Sequence, residues 1–146
     1  DAKKLNQKFS KWFFDKILLD APCSAEGRIN LENEKTFGFW SVENIKNKQE
    51  LQLELLESII PLLKIGWTLV YSTCTLAPEE NEEIVDMILS KYPDFHLEEF
   101  QINLKNTKKW ITSFNWRTYS PTLSKSLRVL PNEESEGFFI AKFKII

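Results

Sequence analysis

The sequence predicts an α/β fold whose sheet is partly parallel and closes on an antiparallel end. Two short apolar runs, residues 12–19 and 67–73, are separated by a long stretch of helical periodicity. Strands joined by a helical crossover run parallel. A second helical stretch follows the second run. The chain then ends on strand-like segments at 127–130 and 138–146, with the turn-forming NEESEG between them, which makes an antiparallel finish.

Residues 12–19, WFFDKILL, read as a strand buried on both faces. Residues 20–40 carry turn chemistry and glycines. Within 43–64, Ile45, Gln49, Leu53, Leu56, Ile60 and Leu63 recur at three- and four-residue spacing, the mark of one buried helix face. Ser41 suits the N-cap, with Glu43 in the first turn. Pro61 is expected to kink the last turn or start a new one, and Gly66 to stop the helix. Residues 67–73, WTLVYST, form the second buried strand. Pro78 and the acids of PEENEE open the next helix; its buried face is Ile84, Val85, Ile88 and Leu89, and it ends before Pro93. Residues 94–102 alternate weakly as a strand, and 103–126 read as irregular.

The chain has 146 residues and a net charge of -2, a size for one domain with a real core. Two cysteines are no disulfide framework, so a reducing, intracellular setting is expected. No apolar run reaches membrane-spanning length, and the polar, basic opening is no signal peptide. The first residue is Asp1 rather than methionine, so the sequence reads as a piece of something longer or a processed product. Charge is unevenly spread. Residues 13–102 hold seventeen acidic and seven basic side chains, whereas 103–128 hold no acid and six bases: Lys105, Lys108, Lys109, Arg117, Lys125 and Arg128. Such a split suits an anionic partner for that region.

Both cysteines fall at strand ends. If the first two strands are parallel neighbours, their carboxyl ends share the edge where open α/β sheets bind ligands. Cys23 follows the first strand in DAPCSAEGRI and Cys74 ends the second. Strands lie about 5 Å apart, so both thiols can face one cleft, with Asp20 beside them. Buried cysteines are usually small hydrophobes, but two at one edge, beside an acid and a proline, favour thiolate attack on an electrophilic carbon. Backbone N–H groups at the start of the PEENEE helix could lower the pKa of Cys74, while its acids would oppose this. Spacing leaves open which thiol attacks.

The stretches LLDAPCSAEGRI and GWTLVYSTCTLAPEENEEIVDMIL resemble motifs IV and VI of the Sun-type RNA cytosine-5 methyltransferases. Asp1–Ala2 resembles the motif III acid, and LRVLPNEESEGFFIAKFKI resembles the closing strands of that family. The resemblance implies the carboxyl-terminal half of a class I, Rossmann-like methyltransferase fold, S-adenosylmethionine as methyl donor, and a cytosine in rRNA or tRNA as substrate. It implies that Cys74 is the nucleophile, adding to ring carbon 6, that Asp20 holds or protonates a ring nitrogen, and that Cys23 assists release. Asp1, Asp20 and Pro22 would contact the cofactor, with no metal. The glycine-rich cofactor loop and the first two strands of that fold are absent from these 146 residues. The expected partner is therefore the missing amino-terminal half, and these residues alone are expected to be inactive and to bind cofactor weakly. Ala25 stands where the family usually has glycine, Gly66–Trp67 replaces a usual Gly-Gly, and no histidine follows Pro131.

Residues 103–126 lie outside the strong resemblance and read as a basic, aromatic insertion. Trp110, Phe114, Trp116 and Tyr119 alternate with the bases. The aromatics are expected to cover the sheet. Lys105, Lys108, Lys109 and Arg117 are expected to contact RNA. The acids of 79–86 read as solvated, and His96 as a strand or surface residue. A competing reading is a non-catalytic RNA-binding or scaffold fragment of the same fold; a small-molecule or protein methyltransferase would not need two cysteines. The expected location is cytoplasmic, or nucleolar in a eukaryote. Charge reversal at Lys108 and Lys109 is expected to weaken RNA binding and flatten its salt dependence, and an unchanged salt slope counts against RNA contact there.

Overall fold

The computed structural model describes residues 2–146, so the expectation placed on Asp1 lies outside the described residues. Strand β1 (Phe14–Asp20) and strand β2 (Leu63–Thr73) pair in parallel, with Lys16 opposite Thr68 and Asp20 opposite Ser72. Helix α2 (Val42–Ile59) makes the crossover, preceded by the short helix α1 (Leu5–Lys8). Ser41 caps α2 as its residue type predicts: its Oγ accepts the Asn44 N–H at 3.0 Å. Pro61 lies in a 3-10 turn, Ile60–Leu62, that ends the helix and feeds β2 directly, because proline supplies no N–H to continue the ladder.

β2 therefore starts four residues before the expected strand. Gly66 is not a helix stop. It lies inside β2 with φ +82°, where the pairing with β1 slips between Phe14 and Lys16. The extra residues of such a bulge need left-handed backbone, which glycine adopts without strain. Helix α3 (Glu82–Lys91) likewise begins later than expected. Pro78 opens a turn instead, its carbonyl accepting the N–H groups of Asn81 and Glu83.

The remaining strands are β3 (Phe95–Leu97), β4 (Thr107–Lys109), β5 (Ser113–Phe114), β6 (Arg117–Thr118), β7 (Leu127–Val129) and β8 (Phe138–Ile145). The main sheet runs β1-β2-β8-β7-β4, and β3 pairs with the far end of β8. The region 103–126 is thus less irregular than expected: β4 extends the sheet, and β5 with β6 forms a separate hairpin. β8 sits centrally, antiparallel to β2 from Thr68↔Lys144 to Thr73↔Phe139.

One face of this sheet carries the core. Leu69 and Tyr71 of β2 and Phe139, Ala141 and Phe143 of β8 meet Leu56 and Ile59 of α2 and Ile84, Val85 and Ile88 of α3 in one buried cluster. Trp110 and Phe114 pack against it and Tyr119 is buried in it, as expected of sheet cover. Trp116 stands clear of it, fully exposed on the β5–β6 turn. β1 is not buried on both faces. Among the described residues it is an edge strand, which sends Ile17 and Leu19 toward the core, while Leu18 is 72% exposed. Both helices contribute to the same cluster, and α2 leaves the outer face of β1 uncovered.

The acids of 79–86 are not simply solvated. Glu80 and Glu82 are fully buried, because the Pro78 turn folds inward against the sheet edge. Arg128, grouped by sequence with the RNA-facing bases, is buried too. Its Nε donates to Glu82 Oε1 at 2.7 Å, its Nη2 to Glu82 Oε2, and its Nη1 to the Leu76 carbonyl at 2.9 Å. Removing one partner of such a pair strands the other without water. Arg128→Met is expected to lower stability by about 3–5 kcal/mol in urea unfolding, with Glu82→Gln in the same chain recovering part of the loss.

Candidate active site

β1 and β2 end side by side, and the loops that leave them carry the two thiols. The ladder runs one residue past β1, with Ala21 N–H donating to the Ser72 carbonyl at 2.9 Å. Ser72 Oγ donates to Asp20 Oδ1 at 3.1 Å, so the exposed Asp20 carboxylate is oriented by the neighbouring strand. Cys23 follows three residues later and Cys74 directly ends β2. Their sulfurs lie 3.1 Å apart, both half-buried. The expectation that Asp20, Cys23 and Cys74 share one edge matches this placement.

The loop after Cys23 turns sharply. Ala25 has φ +61° and ψ +31°, so the position where a methyl replaces the usual hydrogen is left-handed. That conformation costs an L-residue roughly 1–2 kcal/mol. The turn returns Gly27 to the second loop, where its N–H donates to the Cys74 carbonyl at 2.9 Å, and the Gly27 carbonyl accepts the Gly137 N–H at 2.8 Å. A Cβ on Gly27 would sit 2.2 Å from the Gly137 oxygen. The two backbones can meet there only as glycines.

The second loop is pinned by the PEEN acids and amide. Thr73 Oγ1 donates to Asn81 Oδ1 at 2.6 Å, and Asn81 Nδ2 donates to the Thr75 carbonyl at 3.0 Å. Cys74 is thus flanked by two residues held from one buried side chain. Glu80 reaches the other loop: its carboxylate accepts the Ser24 N–H at 3.1 and 3.3 Å and a Gln52 amide hydrogen at 2.7 Å. Gln52 also donates to the Pro22 carbonyl at 3.0 Å, and Ser24 Oγ lies 2.8 Å from Thr75 Oγ1. Burial pushes the Glu80 carboxyl upward, against the donors that pull it down.

The two thiols have unequal proton affinities. The Cys74 thiol is lowered from 9.0 to about 7, chiefly by its hydrogen bond with Cys23 and further by the charge of Arg28, against burial and Asp20. The Cys23 thiol is pushed far up by that same bond and by burial. The two sulfurs are in hydrogen-bond contact, and either can donate to the other. A helix N-terminus was the expected cause, but α3 starts eight residues beyond Cys74, outside the first-turn range of such an effect.

Not every expected residue gathers here. Pro22 is exposed beside the thiols. Lys105, Lys108 and Lys109 are exposed on and next to β4, the sheet edge opposite β1. Arg117 is tied to Glu83 at 2.7 Å and Asp86 at 3.2 Å on α3. His96 lies exposed on β3, as expected. Between loops 25–39 and 131–136 a groove of about 590 Å³ opens beside Gly27, lined by Arg28, Lys35, Phe39 and Asn132 among others. Gln52, Gly27 and Gly137 carry the local architecture without standing out by sequence, and Glu80 and Asn81, part of the motif VI resemblance that suggests a place near the cleft, had no role read for them. A polar Gln52 within a mostly apolar helix face was the one available signal.

Known proteins with similar chains share this layout. The family described as 16S rRNA methyltransferase RsmB/F matches residues 1–144. The tRNA (cytosine(49)-C(5))-methyltransferase of Pyrococcus abyssi is 41% identical over 132 residues, covering 90% of this chain and 42% of the relative. Ribosomal RNA small subunit methyltransferase F of Aeromonas salmonicida is 36% identical over 140 residues, covering 93% of this chain and 27% of the relative. The chain thus spans well under half the length of these relatives. A methyltransferase homolog protein from Pyrococcus horikoshii superposes with a TM-score of 0.80 at 35% identity, over 100% of this chain and 43% of that one. NSun6 from Pyrococcus horikoshii, solved with SFG, superposes with a TM-score of 0.72 at 34% identity, over 99% of this chain and 33% of that one. Thiolate is the form that alkylates. Iodoacetamide labelling of Cys74, located by mass spectrometry, is expected to rise with pH through a midpoint near 7, while Cys23 stays slow across the neutral range.

Proposed function

The chain belongs to the family of 16S rRNA methyltransferases RsmB/F, and from that premise we propose that it carries the thiol half of an RNA cytosine-5 methyl-transfer site. The observation that supports this best is the Cys23–Cys74 pair, with its sulfurs 3.1 Å apart beside Asp20. The substrate is a cytosine in structured RNA, ribosomal or transfer.

Cys74 attacks carbon 6 of the ring as the thiolate, and the electron density moves to carbon 5. Asp20, oriented by Ser72, gives a proton to the ring nitrogen that takes up charge as the carbon–sulfur bond forms, and takes it back when that bond breaks. A bound S-adenosylmethionine supplies an electrophilic methyl group. After transfer a base takes the proton on carbon 5, the carbon–sulfur bond breaks, and its electron pair returns to Cys74. The Cys23 thiol, still protonated and in hydrogen-bond reach, stabilises that departing sulfur.

The residues present suit one side of the cofactor. Asp20 and Pro22 are exposed at the carboxyl end of β1, beside the thiols, where an α/β sheet presents its ligand. An exposed carboxylate with one oxygen already oriented fits the hydroxyl or ammonium groups of that donor. The glycine-rich half of the cradle is expected to come from outside these 146 residues, and Asp1 is expected to contact the adenosine of the donor. Phosphates of the RNA fall to Lys105, Lys108 and Lys109, since the charge of Arg117 is already answered by Glu83 and Asp86.

Covalent trapping on the parent polypeptide tests the roles of the two thiols. Cys23→Ala is expected to accumulate a protein–RNA adduct on a denaturing gel, because attack proceeds and release stalls. Cys74→Ala is expected to form none, and the reverse pattern would falsify the assignment.

A further inference from the structure

We propose that Glu80 is a positioning residue that clamps the two thiol-bearing loops together, so that the Cys23 and Cys74 sulfurs stay in contact. Glu80 is fully buried, and the hydrogen-bond donors around its carboxylate are neutral: the Ser24 N–H and the Gln52 amide. A buried carboxylate answered only by neutral donors is costly to keep. An apolar side chain of similar volume would cost less, so the carboxylate serves geometry rather than stability.

That geometry closes a ring. On one side of Cys23, Gln52 holds the Pro22 carbonyl at 3.0 Å; on the other, Glu80 holds the Ser24 N–H at 3.1 Å. Gln52 and Glu80 are themselves joined at 2.7 Å, and both are fully buried. The neighbours of Cys23 are therefore fixed from one carboxylate–amide pair. The ring reaches the second loop twice. Ser24 Oγ lies 2.8 Å from Thr75 Oγ1, next to Cys74, and Tyr71 Oη on β2 donates to the Glu80 carbonyl at 2.7 Å. The backbones that carry the thiols cannot part without breaking one of these bonds. Their own contact is too weak to impose a distance on two loops.

The proposal rests on the catalytic reading of the thiol pair, but its test needs no methyl transfer. The pH profile of Cys74 alkylation is measured on the protein with Glu80→Ala and Glu80→Gln. Freed from Cys23, the Cys74 thiol loses its main stabiliser. Glu80→Ala is then expected to move the alkylation midpoint up by about one pH unit, making labelling at pH 7 roughly fivefold slower. Glu80→Gln keeps an acceptor for the Ser24 N–H and is expected to restore most of the original midpoint. If Glu80→Ala fails to fold, Gln52→Met replaces it, removing the bond to Pro22 and the support of Glu80, with an upward shift expected. An unchanged midpoint in a folded variant that has lost the clamp overturns the proposal, as does Glu80→Gln behaving like a full loss. A shifted midpoint in a protein that forms no RNA adduct keeps the clamp and discards the methyl-transfer reading.

Discussion

The parallel pairing of β1 with β2 is the constraint on which the site depends. Parallel neighbours leave a sheet in the same direction, so the loops after Asp20 and after Thr73 emerge side by side, although their cysteines are 51 residues apart in sequence. An antiparallel pair would send those exits to opposite ends of the sheet. α2 enforces the choice, because returning to the starting edge requires a crossover of this length. Once the exits are adjacent, short side-chain bonds are enough to finish the geometry.

The buried acids of the PEEN turn show two solutions to one electrostatic problem. Glu82 meets a guanidinium in a forked pair with Arg128, which also satisfies the Leu76 carbonyl. It ties β7 to the loop that follows Cys74. Glu80, two residues earlier, is left with neutral donors. A full positive charge beside Glu80 would stabilise it better, but it would also lie within a few residues of the thiols and shift the balance between them. The neutral solution keeps that balance under the control of Cys23 and Arg28.

Much of this was legible in the sequence where periodicity and special residues act locally. The Ser41 cap, the inward face of α3, the parallel first pair and the closing antiparallel strands all follow from patterns a few residues long. The meeting of Asp20, Cys23 and Cys74 followed from those elements. Pattern misled where tertiary contact decides. Gly66 reads as a helix stop but serves a bulge, which exists only because β1 lies alongside. Glu80 and Glu82 read as solvated charges, and Arg128 as one of the bases for an anionic partner, because their partners lie 28 to 56 residues away. Gly27 and Gly137 look like ordinary turn glycines until the two backbones are seen to touch.

That last contact also orders events in time. β8 is the last described strand to leave the ribosome, yet it lies in the middle of the sheet, between β2 and β7. Gly137, just before it, closes on Gly27, which in turn holds the carbonyl of Cys74. During synthesis, β1, α2 and β2 can assemble first, with the thiol loops still loose and the inner edge of β2 unpaired. Until the chain is released through Gly137, the glycines cannot meet and the loop after Cys23 lacks its backbone tie to β8. A nascent chain stalled before Gly137 would therefore expose an unsatisfied edge of β2.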